Sequence, residues 1–243
     1  GNFAAPAAWF QYSADRKGEH PRAHLKGFRG TLQADAYGGW NRIYDSGAVV
    51  EAACWAHARR PWWDLYCDTG RSPDSIAAQA LTRIRELYVI EEEIRGRPPD
   101  VRREQREARA GPLLADMHAW LMGLLGRVSA KSNLAKAIGY SLARWKALTR
   151  YVHDGRIEID NNAAERALRG VALGRGNYLF MGSDAGGERA AALYSLVETA
   201  KLNGLDPEAY LREVLGRIAE HPVNRVDELL PWNIAEQPLK KAA

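Results

Sequence analysis

One acidic residue lies where a sheet protein would place a ligand-binding group. Asp35 falls at the carboxyl end of a candidate strand, residues 31–37, three residues before Gly38-Gly39. Open α/β sheets bind ligands at the carboxyl ends of their strands, so Asp35 is a candidate metal ligand or catalytic carboxylate. The alternative is that Asp35 is an ordinary turn or capping residue, which is the commoner role of an Asp at a strand end.

A second acidic residue lies one turn into a predicted helix. Glu165 follows the cluster Asp160-Asn161-Asn162, which is typical of a helix start. Asn162 and Glu165 fit a capping box, and Glu165 with Arg169 forms a favourable i,i+4 pair. From local sequence alone, helix stability is therefore the favoured explanation of Glu165, and Asp160 is a good N-cap.

Cysteine, histidine and arginine residues follow the third candidate strand. Cys54-x-x-His57 has the spacing of two zinc ligands, with Cys67 as a third, but a structural zinc site normally needs four. A buried cysteine beside a histidine that orients a loop is the structural alternative, and it is favoured. Arg59 and Arg60 suit phosphate contacts or an exposed helix start.

The composition excludes several classes of protein. The 243 residues are 46% hydrophobic and 26% charged, which is typical of a globular protein. No apolar run reaches the roughly 20 residues of a membrane span, and no secretory leader is evident. Two cysteines are too few for a disulfide framework, so a reducing cytoplasm is expected.

The charge is mildly basic and unevenly distributed. Lys and Arg number 34 against 30 Asp and Glu, a net charge of +4. Residues 16–29 and the stretch containing Arg166, Arg169 and Arg175 are basic, whereas residues 204–236 are acidic. This pattern favours a polyanionic partner, although scattered solvated charge is the alternative.

The predicted elements change character along the chain. Residues 9–12, 31–37 and 48–55 are candidate strands, with helical residues at 20–28 and 40–44. Three long amphipathic helices are predicted next. The first has Ser72 as N-cap, Pro73 at its first position and Gly96 at its end; the second starts at Pro98-Pro99; the third covers about 133–152.

The remaining residues alternate between extended and helical patterns. Residues 156–159 and 178–180 are predicted extended, and helices are predicted at 163–171 and 188–203. Asp206-Pro207 opens a last long helix, with Leu205 and Tyr210 placed as a hydrophobic staple. Residues 231–243 are predicted to form a loose tail.

Seven short segments, in one order, carry a specific resemblance. They are YSADRKGEHP at 12–21, LQADAY at 32–37, EAACWAHARR at 51–60, IDNNAAERALR at 159–169, NYLF at 177–180, GSDAGG at 182–187 and LLPWN at 229–233. Over essentially its whole length, the chain resembles the carboxy-terminal part of the transposase of the bacterial insertion-sequence-sixty-six family.

The resemblance implies an α/β fold class. It consists of an incomplete ribonuclease-H-like (DDE) sheet, a long all-helical insertion and a C-terminal helical region. The implied domains are a partial core at 1–71, the insertion at 72–153, the rest of the core at 154–203 and a C-terminal helix and tail at 204–243. The insertion is expected to pack beside the sheet.

The resemblance also implies roles for individual residues. Asp35 matches the second Asp of the catalytic triad and Glu165 matches the Glu, and both would bind metal. No residue matches the first Asp, because Asp15 lies in a turn and is a poor substitute. The first strands of the fold and an amino-terminal DNA-binding region are also expected to be missing. Pro61 replaces a lysine that the family usually carries.

The implied function is DNA transposition. A DDE transposase cleaves and joins DNA strands with two Mg²⁺ ions, and its partners are the element ends, the target DNA and further copies of the transposase. Arg59, Arg60, Arg166, Arg169 and Arg175 would contact the DNA backbone, and Cys54 and His57 would be structural. The alternative is a catalytically inactive DNA-binding or regulatory fragment that pairs with the full-length enzyme.

Two expectations follow for this chain. The carboxylates of Asp35 and Glu165 are expected to converge to within roughly 10 Å, close enough to share a metal site. The 243-residue chain is expected to bind DNA weakly and without sequence preference, but not to cleave it.

Overall fold

The protein divides into two compact units. The computed structural model describes residues 5–177 and 180–236. The first unit contains residues 17–162, and the second contains residues 2–16 and 163–243. The described residues are mostly helical with a small parallel sheet. No helix among them is long and apolar enough to cross a membrane.

A short parallel sheet lies near the start of the first unit. Helix α1 (Glu19–His24) precedes strand β1 (Gly30–Gln33), and a 3₁₀ turn with helix α2 (Asn41–Tyr44) leads to strand β2 (Val49–Ala52). The strands pair in parallel, with Gly30 opposite Val49. Both strands and α1 are shorter than predicted. Gly27, with φ of +87°, prevents the helix from continuing towards the strand.

The helices that follow the sheet share one hydrophobic core with it. They are α3 (Trp55–Asp68), α4 (Ile76–Glu93), α5 (Pro99–Gln105), α6 (Gly111–Leu125), α7 (Asn133–Ala143) and α8 (Trp145–Thr149). One hydrophobic cluster includes Ala52 and Ala53 at the end of β2 and buried residues of these helices. The sheet and the helices of the first unit are therefore stabilised by the same burial of apolar surface.

Two buried tryptophans anchor α3, a helix that the sequence did not predict. Trp55 and Trp62 are fully buried, and each indole nitrogen donates a hydrogen bond, to Leu148 O at 2.9 Å and Ser141 Oγ at 3.2 Å. Pro61 lies inside α3. Proline normally interrupts a helix, so the packing of these two indoles outweighs the local preference.

The boundaries of the predicted helices are partly confirmed. Gly96 has φ of +74° after α4, and α5 starts at Pro99, as predicted. The N-cap of α4 is Ser75, which accepts a hydrogen bond from Ala78 N, so the prediction of Ser72 is wrong by one turn. The helix predicted at 133–152 is broken at Arg144, which has φ −108° and ψ 11°.

A π-helical segment, residues 106–110, connects α5 to α6. Arg106 at its start is 0% exposed, and its guanidinium donates to both carboxylate oxygens of Glu91 at 2.7 Å. The same guanidinium donates to the backbone oxygens of Tyr151, Asp154 and Ile157. This buried side chain connects α4, the π segment and the loop at 151–157.

In the second unit, the regular elements among the described residues are all helices. Its helices are α9 (Asn162–Gly174), which starts at the last residue of the first unit, α10 (Asp184–Leu202), α11 (Pro207–Arg217) and α12 (Pro231–Glu236). Asp206 caps α11, as predicted, and Tyr210 is buried in a hydrophobic cluster against which Leu205 packs. The predicted tail is wrong for residues 231–236, because Ile234 is buried in the core of this unit.

The predicted strand at residues 9–12 is also wrong. This segment runs beside α10 instead of joining a sheet. Phe10 N donates to Ser195 Oγ at 2.8 Å, Ala8 N donates to Thr199 Oγ1 at 3.0 Å, and Asn203 Nδ2 donates to Pro6 O at 2.9 Å. The side chains of Ser195, Thr199 and Asn203, spaced four residues apart, thus form the backbone hydrogen bonds that a neighbouring strand would otherwise supply. Of the predicted extended residues 178–180, two lie outside the described residues.

Candidate functional site

Asp35 lies two residues beyond β1 on an exposed turn. Its Oδ1 accepts hydrogen bonds from Trp40 Nε1 at 2.9 Å and from Tyr37 N at 3.3 Å. The indole and the turn fix the orientation of the carboxylate without neutralising it. A carboxylate oriented in this way is a hard oxygen donor, the type of ligand that Mg²⁺ prefers.

Polar residues that the sequence did not single out surround this end of the sheet. Arg144 Nη1 donates to Glu51 Oε1 at 2.9 Å, and the guanidinium lies over the Tyr140 ring at 5.5 Å. Burial and the negative charge of Glu51 raise the pKa of Tyr44 to about 12; Arg144 opposes this shift and Asp35 adds to it. These charges are therefore close enough to influence one another.

Arg144 could not have been identified from its local sequence. It occupies a regular position in the helix predicted at 133–152, where an arginine is normally solvated. The break between α7 and α8 turns it towards Glu51, which is separated from it by 93 residues. The only available sequence signal was Glu51 itself, a charge in the middle of an otherwise apolar strand.

Cys54 and His57 lie at the start of α3. Cys54 is 3% exposed and directly precedes the helix, and His57 is half-buried in its first turn. Burial raises the pKa of the Cys54 thiol despite backbone hydrogen bonds that favour the thiolate. Cys67 lies near the end of α3. The rise of a helix puts it roughly 20 Å from Cys54 along the axis, too far to complete a zinc site with the other two residues.

We expect the two thiols to react at very different rates. Iodoacetamide at pH 8 should alkylate half-buried Cys67 at least about ten times faster than Cys54, because burial keeps the Cys54 thiol protonated and inaccessible. Mass spectrometry after timed quenching measures both rates in one sample. In urea the two rates should become similar. Equal labelling of both cysteines in the folded protein would contradict this account.

The segment that leads into α9 lies against the two strands. Gln33 Nε2 donates to Glu158 O at 2.7 Å, and Trp55 N donates to Ile159 O at 3.1 Å. Arg102 holds the Glu158 carboxylate with two hydrogen bonds, at 2.8 and 2.7 Å. Residues 156–159 form no strand, contrary to prediction. These hydrogen bonds nevertheless fix the segment beside the carboxyl ends of β1 and β2.

Asp160 anchors the beginning of α9 to α4. Its Oδ2 accepts hydrogen bonds from Tyr88 Oη at 3.0 Å and from Asn162 Nδ2 at 2.8 Å, and its Oδ1 accepts one from Asn162 N at 3.1 Å. Because α9 begins at Asn162, that residue lies inside the helix and not at the N-cap position of the predicted capping box. Asp160 performs the capping role through the turn that precedes the helix.

Glu165 lies in the first turn of α9 and is half-buried. Arg166 and Arg169 are exposed on the same helix, and Arg175 is exposed just after it. Glu165 and Asp35 belong to different compact units, and the expected convergence of their carboxylates stays a prediction.

Arg59 and Arg60 are exposed on α3. The Arg59 guanidinium lies over the Trp63 ring at 5.0 Å. Stacking on an indole holds the guanidinium in place while its donors remain directed outwards, which suits contact with an anion.

Comparison with known proteins identifies the family. The profile described as "Transposase IS66 family" matches residues 1–189, and the "IS66 C-terminal element" matches residues 195–232. Two relatives from Sinorhizobium fredii (strain NBRC 101917 / NGR234) are the uncharacterized proteins y4hP, 42% identical over 96% of this chain, and y4jD, 38% identical over 99%. The chain spans 44% and 48% of their respective lengths. No solved structure matches it. By these two matches, which together cover nearly all of its length, the chain belongs to the IS66 transposase family.

Proposed function

We propose that the chain is the carboxy-terminal part of a DDE-type DNA transposase and that Asp35 and Glu165 supply two of its three metal-binding carboxylates. In this proposal, β1 and β2 belong to a ribonuclease-H-like core, and the helices between residues 72 and 153 are an insertion into it. Membership of the transposase family supports the reaction class, and the arrangement of the first unit supports the two residues.

One observation carries the proposal. Gln33, two residues before Asp35, donates a hydrogen bond to Glu158 O at 2.7 Å. The chain reaches Glu165 seven residues later, after the turn fixed by Asp160. A contact between residues 125 positions apart at the strand ends is what a shared carboxylate site requires. It supports the proposed convergence of the two acids and gives a reason for the two hydrogen bonds by which Arg102 holds the exposed Glu158 carboxylate.

The donor chemistry fits Mg²⁺. Asp35 is an exposed carboxylate with a fixed orientation, and Glu165 is half-buried in the first turn of a helix. When bound, a pair of Mg²⁺ ions stabilises the attacking and leaving oxygens of an in-line phosphoryl displacement. In this proposal, the residues of the chain orient the carboxylates: Trp40 holds Asp35, and the Asp160 turn positions the helix that carries Glu165.

The third carboxylate is proposed to come from sequence outside these 243 residues. None of them matches the first Asp of the family triad, and the chain spans less than half of the length of the relatives. Strand cleavage and transfer, with element ends and target as substrates, are therefore proposed for the longer protein.

The exposed arginines are proposed to contact the DNA backbone. Each phosphate contact makes the negative slope of log K against log salt steeper by about 0.9 for duplex DNA. We expect Arg166→Gln and Arg169→Gln each to lower the magnitude of that slope by about this amount, with little change in sequence preference. Fluorescence anisotropy of a random duplex between about 50 and 200 mM salt measures the slope.

Arg212→Gln is the matched control. Arg212 is an exposed helical arginine that pairs with Glu208 at 2.7 Å on α11. Its removal should leave the slope unchanged. Equal slopes for all three variants and the wild type would contradict the proposed contacts, and an absence of DNA binding by the wild-type chain would contradict DNA as the partner.

A second candidate function is that of a regulatory fragment. The family resemblance favours it, because that resemblance matches only two of the three triad carboxylates to residues of this chain. A regulatory fragment should inhibit cleavage by the full-length transposase when added in excess, and the Asp35→Asn variant should inhibit equally well. A catalytic contribution would be lost in that variant.

A further inference from the structure

A cavity of about 620 Å³ lies between α3 and α4 in the first unit. Its size falls within the range of about 300–1,000 Å³ typical of small-ligand sites. Arg59, Trp63 and Tyr66 line it from α3, Arg85 and Tyr88 line it from α4, and Asn162 lines it at the start of α9.

The charge of the cavity favours an anionic ligand. Two arginines are among the described lining residues, and no acidic residue is. Arg85 is exposed, and Arg59 is held over Trp63 by stacking. Asp160, which contacts two of the lining residues, accepts hydrogen bonds from Tyr88 and Asn162. The net positive charge of the lining is therefore not neutralised from within.

The aromatic residues of the cavity favour a planar ligand. Trp63 is 41% exposed, whereas Trp55 and Trp62 on the same helix are fully buried. Its ring lies 5.8 Å from that of Tyr66, with a tilt of 45° between the planes. The two rings give the cavity an apolar wall beside two cations. A nucleobase linked to a phosphate presents the same combination of a flat π face and an adjacent negative charge.

We propose that this cavity binds an unpaired nucleotide of a DNA strand, with the base against Trp63 and Tyr66 and the neighbouring phosphates on Arg59 and Arg85. The proposal rests on the proposed function and adds that the DNA is recognised with one base out of the stack. A paired base could not reach an aromatic wall inside a cavity, whereas a backbone contact alone would need only exposed arginines. Asn162 lies in the cavity wall three residues before Glu165, on the same helix.

The test compares single-stranded with duplex DNA in the presence of EDTA, so that no cleavage step contributes. Anisotropy of a labelled thymidine oligomer of roughly 12 nucleotides measures the first affinity, and a blunt duplex of equal length measures the second. Trp63→Leu is expected to weaken binding of the oligomer about ten-fold and to leave duplex binding within two-fold or so. Trp63→Phe, which retains a ring, should restore most of the affinity.

Two arginines on α4 provide a matched pair. Arg85 lines the cavity, whereas Arg83 lies over the Trp120 ring at 4.5 Å and is not among the lining residues. Arg85→Gln should weaken oligomer binding several-fold and Arg83→Gln should not, although both remove one charge from the same helix. Thermal unfolding of each variant checks that the fold is retained.

The outcomes separate this proposal from the function on which it rests. If Trp63→Leu and Arg85→Gln bind the oligomer as the wild type does, the cavity is not the site, while duplex binding and metal-dependent cleavage would still support a transposase. If both variants lose oligomer and duplex binding equally, the residues contribute only general DNA affinity and the proposal is overturned. If the wild-type chain binds neither DNA, the proposed partner and this site both fail.

Discussion

Glu165→Gln is expected to reduce metal-dependent DNA cleavage by roughly three orders of magnitude or more in the full-length transposase. An amide oxygen is a much weaker Mg²⁺ ligand than a carboxylate, so the metal pair would not be held in place. The fold should be unaffected, because glutamine serves as well as glutamate in the first turn of a helix. Nicking of a supercoiled plasmid that carries the element ends, with and without Mg²⁺, measures the loss.

Asp35→Asn should cause a comparable loss, because it also replaces a carboxylate with an amide. The local structure should be retained, since asparagine can still accept the hydrogen bond from Trp40 Nε1. Glu208→Gln is the control, because it makes the same chemical change at an exposed position on α11. Cleavage that survives Glu165→Gln, or a variant that fails to fold, would favour a purely structural role for Glu165. Full cleavage by the 243-residue chain alone would show that no third carboxylate is needed.

Arg106→Met should lower the free energy of unfolding by about 3–5 kcal/mol. The substitution leaves Glu91, which is 6% exposed, with only the longer contact to Arg102 at 3.6 Å. It also removes the donor to the buried backbone oxygens of Tyr151 and Ile157. A buried carboxylate without its main partner and unsatisfied buried carbonyls both favour the unfolded chain. Urea denaturation followed by circular dichroism measures the change.

Arg109→Met is the matched control on the same π segment. Arg109 pairs with Glu93 where both side chains are exposed, and the urea midpoint should not change measurably. The double variant Arg106→Met/Glu91→Leu should recover part of the lost stability, because it removes the unpaired charge as well. If Arg106→Met and Arg109→Met shift the midpoint equally, the buried network does not stabilise the fold as described.

The sequence predicted those elements whose ends carry their own chemistry. Asp206 accepts a hydrogen bond from Ala209 N and Pro207 begins α11, as their order indicated. Gly96 and Pro99 likewise delimit two helices correctly. In each case the capping group lies within a few residues of the backbone it satisfies, so a local pattern contains the information.

Elements that depend on distant partners were predicted poorly. Residues 9–12 have the pattern of a strand, but their hydrogen-bond partners are side chains of α10, some 185 residues away. Pro61 is unfavourable inside a helix, and α3 forms because two indoles are buried on one of its faces. Local propensity is a weak constraint when tertiary burial contributes more free energy.

The candidate site shows the same limit. Local patterns around Asp35 and Glu165 favoured capping roles, and only the family resemblance connected them. The contact between Gln33 and Glu158 has no local signal at all, because it links segments that the sequence separates by the entire helical region. Arg85 and Trp63 were overlooked because each occupies an ordinary helical position, and it is the packing of α3 against α4 that makes them neighbours.

The π segment also determines which positions of the long helix from Pro99 to Leu125 face the core. Its buried positions run Arg102, Arg106, Ala110, Leu114, then Met117 and Leu121. Three successive four-residue steps would rotate a regular α-helix by roughly 120° away from the core. One extra residue in a π turn corrects about 100° of that rotation. In a homologue one residue shorter here, one of these four-residue steps would become a three-residue step, and a regular α-helix would keep the same face buried. An alignment gap within 106–110 therefore marks a change of helix type and not a lost contact.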